Sequence, residues 1–98
     1  MKAKELVRSR IVYSASAFAE LNLWELPRAQ PGATHRFKYR LAFVVNGKCL
    51  IRYDNEAGKG DHRHHGGKER KYEFTTPEQL LVNFARDIER WMNENSDS

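Results

Sequence analysis

From Phe37 to Val45 apolar side chains stand at every second position, Phe37, Tyr39, Leu41, Phe43 and Val45. That is the period of a strand with one buried face. Asn46-Gly47 then supplies the two positive φ angles of a type I′ turn, and residues 48–54 return as a second strand. A two-residue turn pairs Val45 with Lys48, Phe43 with Leu50 and Arg40 with Tyr53. On this register Phe37, Tyr39, Leu41, Phe43 and Leu50 form a core row. The opposite face carries Ala42, Val44, Cys49 and Ile51 near the turn, then Arg36, Lys38 and Arg40 beside Tyr53 and Asn55 at the open end.

The rest of the chain is less regular. Residues 2–8 read equally as a short helix or a frayed lead-in, because so short a helix does not persist unaided. Residues 10–26 run as apolar stretches on either side of the small residues 14–17, which predicts another hairpin. Pro27 and Gln30-Pro31-Gly32 break the pattern and mark a loop. Residues 72–75 read as a short strand. Thr76-Pro77-Glu78-Gln79 combines a threonine cap, proline at the first helical position and glutamine at the capping-box position, so a helix starts there. Leu80, Leu81, Phe84, Ile88, Trp91 and Met92 recur at three- and four-residue spacing as the face that lies on the sheet. Residues 93–98 have little to bury and fray. The predicted fold is α+β: one domain spanning residues 1–98, an antiparallel sheet of four or five strands, and the C-terminal amphipathic helix packed on one face.

Composition adds limits rather than detail. The 98 residues suffice for a single core. No apolar run approaches the roughly 20 residues that span a bilayer, and no apolar segment follows the first lysines as in a secretory signal, so the expectation is a cytoplasmic protein without membrane contact. The one cysteine, Cys49, sits in an apolar run and reads as a small core side chain. The net charge of +4 is uneven: residues 1–71 carry 15 basic and 7 acidic side chains, residues 72–98 carry 2 and 6. A basic body suits a polyanion such as RNA or DNA, through counterion release at the phosphates.

Between Tyr53 and Tyr72 lies GKGDHRHHGG, residues 58–67, within some 18 residues that hold four glycines and hardly an apolar side chain. The expectation is a long polar loop, a length that usually signals function or disorder. Its residue types suit metal-free RNA cleavage, which needs a base at the 2′-hydroxyl, a cation on the phosphorane and an acid at the departing 5′-oxygen. His62 and His64 are the candidate acid and base, because imidazole titrates near neutrality. Asp54, Glu56 or Asp61 would orient an imidazole or act as base. Lys59 and Arg63 are the first candidates for phosphate, supported by Arg36, Lys38 and Arg40, while His65 is the most dispensable histidine. Two alternatives stand beside this reading: a metal site of His62 and His64 with Asp61, Asp54 or His35, and a solvated connector. No metal or cofactor is expected.

The run RYDNEAGKGDHRHHGGKE, followed by YEFTTPEQLL and preceded by IVYSASAFAELNLWELP and HRFKYRLAFVVNGKCLIRYDNE, resembles the TumE family of small bacterial and archaeal toxin-antitoxin proteins. The likeness extends from about Arg10 to Arg90. It implies a toxin encoded beside an antitoxin, the antitoxin typically carrying a helix-turn-helix DNA-binding domain. The resemblance brings no residue roles with it; those given above, on Asp54, Glu56, Lys59, Asp61, His62, Arg63 and His64 and on Asn55 beside them, rest on chemistry alone. RNA is the candidate substrate, and a homo-oligomer is compatible with the pattern.

Overall fold

The computed structural model describes residues 2–56 and 58–95. Strands β1 (Lys4–Val12), β2 (Ala17–Glu25), β3 (Phe37–Val45), β4 (Lys48–Glu56), β5 (Gly60–His65) and β6 (Lys68–Lys71) are followed by helix α1 (Pro77–Glu94). Each strand pairs antiparallel with the next, giving one six-stranded meander in chain order. The class is α+β as expected, with six strands instead of four or five.

The difference arises in the glycine-rich segment, which is sheet and not a structureless loop. Gly66 and Gly67 hold φ of 60° and 83°. Two successive positive angles make the tight primed turn that joins β5 to β6. The alternating Asp61, His62, Arg63, His64 and His65 thus become a strand, its two faces chemically distinct. Residues 72–75 leave the sheet edge after one bond, from Tyr72 N–H to Asp61 O at 3.0 Å, and form no strand. Phe74 instead stacks on His35 with ring centroids 3.9 Å apart. Within residues 2–8, which read equally as helix or lead-in, Lys4 begins edge strand β1, and the strand's charges Lys4, Glu5, Arg8 and Arg10 discourage further strand addition.

The Asn46-Gly47 hairpin forms with Val45 opposite Lys48, but a bulge displaces every pair beyond it. Phe43 faces Ile51 rather than Leu50, and Arg40 faces Asp54 rather than Tyr53. The physical reason is visible in the unbulged alternative, which would turn Arg52 and Asp54 toward the core with no compensating partners there. One extra residue moves Ile51 and Tyr53 inward, at 0% and 2% exposure, and returns the charged pair to the outer face. Cys49, expected inside, is exposed opposite Val44 beside the turn.

Helix α1 starts where predicted, with Thr76 Oγ1 accepting from Gln79 N–H at 3.0 Å. It lies across β3 and β4 and buries Leu80, Phe84 and Ile88, each at 2% exposure or less, against Leu41, Phe43, Ile51 and Tyr53. Trp91 packs edge-on to Phe43, whereas Met92, one residue around the helix, is exposed. Asn93 and Glu94 remain helical, and residues 96–98 of the expected fraying tail lie outside the described residues.

Two polar networks lie on the helix side of the sheet. Asp87 of α1 accepts hydrogen bonds from Tyr53 Oη and from Arg63 Nε, the latter at 2.8 Å. Asp61 accepts from Tyr39 Oη at 2.6 Å and from His35 Nε2 at 2.9 and 3.1 Å. Burial, reinforced by these carboxylates, raises the pKa of both tyrosines above the ordinary value near 10. Because the folded values exceed the unfolded ones, their contribution is fully present below about pH 10 and is lost as pH rises past it. Alkaline titration should therefore give tyrosinate absorbance together with loss of the circular-dichroism signal in one cooperative step. Ionisation of Tyr39 and Tyr53 near pH 10 with the fold intact would contradict this.

Candidate active site

The outer face of the sheet, away from α1, is built by strand alternation and by the bulge in β4. Its rungs read across the strands. One joins Ala42, Arg52, His64 and Glu69; the next joins Asn22, Arg40, Asp54, His62 and Lys71; beyond them Trp24 pairs with Lys38 and Glu56 with Gly60, and Trp24, Lys38 and Glu56 line one cleft. Adjacent strands lie about 4.8 Å apart, so side chains of neighbouring rungs and strands are within reach of one small substrate group.

His62 and His64 come together as the alternation requires. His62 Nδ1 lies 3.1 Å from Gly60 O, and since a carbonyl can only accept, that nitrogen carries the proton. In the neutral ring Nε2 then holds a lone pair, 3.8 Å from Glu69 Oε1. His64 Nε2 lies 3.0 Å from Arg52 Nη2 and 2.9 Å from Glu69 Oε2. A neutral His64 accepts from Arg52, and a protonated one pairs with Glu69, so each protonation state has its partner. The histidine side chains are 14% and 25% exposed and that of Glu69 is 39% exposed, which leaves the group reachable from solvent.

Arg52 is the hub beneath this pair. Its Nε lies 3.3 Å from Asp54 Oδ2, a Coulombic contact without hydrogen-bond alignment, so this buried N–H has no hydrogen-bond partner among the described residues. Arg40 and Lys38 stand on the same face; Lys38 Nζ donates to Asn55 O at 3.4 Å, and Arg40 has no ion pair among the described residues. Asn55 itself points inward, accepting from Tyr39 N–H at 2.9 Å and donating to Phe37 O at 2.7 Å, where it supports the sheet.

The remaining sequence candidates are placed elsewhere. Asp61 and Arg63 face the helix side, with the sheet between them and His62 and His64. The oxygens of Asp61 are taken by His35 and Tyr39, and Arg63 joins Asp87 to His65, donating from Nη2 to His65 Nδ1 at 3.2 Å. His35 accepts from Phe37 N–H at Nδ1 and donates from Nε2, so both ring nitrogens are committed. Glu56 ends β4 on the outer side, Lys59 is exposed in the following turn, and Arg36 pairs with Glu25 at 3.1 Å just before β3. Among the described residues no three His, Cys, Asp or Glu side chains converge as metal ligands.

Sequence reasoning missed Arg52 and Glu69. Arg52 sits on the neighbouring strand β4, 12 residues before His64, and Glu69 one turn beyond the motif on β6, and only the pairings Arg52–His64 and His64–Glu69 bring them in. It also missed Asp87, which looks like one more charge on an amphipathic helix until Tyr53 and Arg63 are seen to converge on it. No helix of the described residues is long and apolar enough to cross a membrane.

No curated protein and no solved structure matches this chain. The family model described as toxin TumE matches residues 2–92, nearly the whole length on which the sheet, the histidine pair and the helix are built, and the chain belongs to that toxin family.

Proposed function

We propose that this toxin is a metal-independent endoribonuclease whose active site is the outer sheet face around His62 and His64. Membership of the family makes it the toxin of a toxin-antitoxin pair and an antitoxin its partner; a helix-turn-helix domain on that antitoxin, action in the cytoplasm and a single toxin domain belong to the proposal. The observation that carries it is the placement of two imidazoles against one carboxylate, at 3.8 and 2.9 Å, with a guanidinium 3.0 Å from the second ring.

The chemistry follows from proton positions. His62, with Nδ1–H committed to Gly60 O, takes the 2′-hydroxyl proton at Nε2 while the 2′-oxygen attacks phosphorus. His64, protonated and steadied by Glu69, gives its proton to the 5′-oxygen as that P–O bond breaks. Arg52, Arg40 and Lys38 neutralise the charge that grows on the phosphorane, with Asp54 holding Arg52, and Lys59, Arg36 and Glu56 at the rim. Asp61 and Arg63 act in the fold and take no part in the chemistry.

Purified toxin incubated with single-stranded RNA in chelator should leave 2′,3′-cyclic phosphate and 5′-hydroxyl ends. Ends bearing a 5′-phosphate, formed only with added divalent metal, would instead point to metal-activated water and sink the proposal. RNA that is bound but left whole, with binding lost when Arg36, Lys38 and Arg40 are reversed in charge, would make the protein a noncatalytic binder.

A further inference from the structure

Trp24 stands apart from every other aromatic side chain. Among the described residues, each remaining Phe, Tyr and Trp is in a ring-to-ring contact or, for Phe18, under the guanidinium of Arg10 at 4.0 Å. Trp24 has neither, and its indole N–H meets no acceptor among them. Strand alternation turns it to the outer face, half-buried, with Lys38 opposite on β3. There it lines a cleft of about 190 Å³ together with Asn22, Lys38, Arg40, Asp54 and Glu56. A large flat ring left unstacked in a polar, cation-rimmed cleft is a surface that a planar ligand completes.

We propose that this cleft is a nucleobase subsite, in which an unpaired RNA base with an exocyclic amino group stacks on Trp24. The inference deepens the ribonuclease reading and rests on it for the strand that delivers the base. Asp54 lies directly opposite His62 in the β4–β5 ladder, so the cleft wall is one strand spacing, about 4.8 Å, from the proposed base. Lys38 and Arg40 supply cations for the flanking phosphate. The outer oxygen of Asp54 and the carboxylate of Glu56 accept no hydrogen bond from the described residues. Carboxylates accept from the amino groups of adenine, cytosine and guanine and repel the carbonyl that uracil presents at the same edge, and the Asn22 amide adds one donor and one acceptor.

The test uses full-length His62→Ala, His64→Ala protein, which does not cut, with Trp91→Phe so that Trp24 is the single indole. Single-stranded hexamers of A, C or U are titrated while indole fluorescence and hexamer anisotropy are followed. Saturable quenching by the A and C hexamers, at roughly 5-fold or greater preference over U, is expected. Trp24→Ala should weaken their binding roughly 5- to 150-fold and Trp24→Phe should recover part of it, with melting curves showing that both variants are folded. Hexamers that bind without changing Trp24 emission, or whose affinity Trp24→Ala leaves unchanged, overturn the subsite, as does the absence of any hexamer binding. Failure of the ribonuclease reading is seen separately: quenching by RNA that wild-type protein does not cut keeps the subsite and removes the nuclease, whereas cutting without quenching does the reverse.

Discussion

Induced expression of the His62→Ala, His64→Ala protein should allow normal growth where the wild type arrests it. Removing a positioned acid or base from a proton-transfer step lowers its rate by about 10²- to 10⁴-fold. The two single variants should each fall in that range and the double variant should fall little below the worse of them, because base and acid act in one concerted event. Neither substitution should unfold the protein. His62 gives up one bond to Gly60 O, of about 1 kcal/mol, and both rings lie on the outer face, clear of the core. RNA-end mapping in the same cells separates loss of cutting from loss of expression. Arrest of growth by the double variant as strong as by wild type would remove both histidines from the mechanism.

The second large effect lies on the other side of the sheet. Asp87→Ala should lower the unfolding free energy by about 2–4 kcal/mol, read as a fall in the urea midpoint. Asp87 is 6% exposed and holds Tyr53 Oη and Arg63 Nε in one network. Its loss leaves the Arg63 charge and the Tyr53 hydroxyl without their partner under the helix. The full penalty of an orphaned buried ion is not reached, because the Arg63 side chain is 27% exposed and regains some water. Asp87→Asn keeps a hydrogen-bond acceptor for Tyr53 and loses the charge, so it should cost less, about 1–2 kcal/mol. A domain of this size is held by roughly 5–15 kcal/mol in total, which makes the alanine change a large fraction of its stability. A midpoint for Asp87→Ala equal to wild type would show that Leu80, Phe84 and Ile88 alone hold the helix.

Local chemistry was readable wherever a short stretch has one low-energy answer. Asn46-Gly47 can take two positive φ angles and Thr76-Pro77 can start a helix, and both do so. Composition misled where glycine has two meanings. The glycines of residues 58–67 suit a mobile loop as well as tight turns, and what selects the turns is a free edge of β4 on which residues 61–65 can pair. The bulge after Phe43 was equally hidden, since nothing local to Leu50 marks it. It is chosen by the cost of turning Arg52 and Asp54 into the apolar layer, a cost that exists only once α1 covers that layer.

By itself, then, the chain determined its class, its central hairpin, the helix with its buried stripe, and the placing of His62 and His64 on one side, since all of these follow from periods of two or 3.6 and from turn residues acting over a few positions. Only the tertiary structure decided that Asp61 and Arg63 serve the core, that Arg52 and Glu69 meet the histidines, and that Trp24 stands open beside them. Cross-strand register and the covered face of a sheet are set by pairing energies between residues far apart in sequence, and one displaced residue reverses every side chain beyond it.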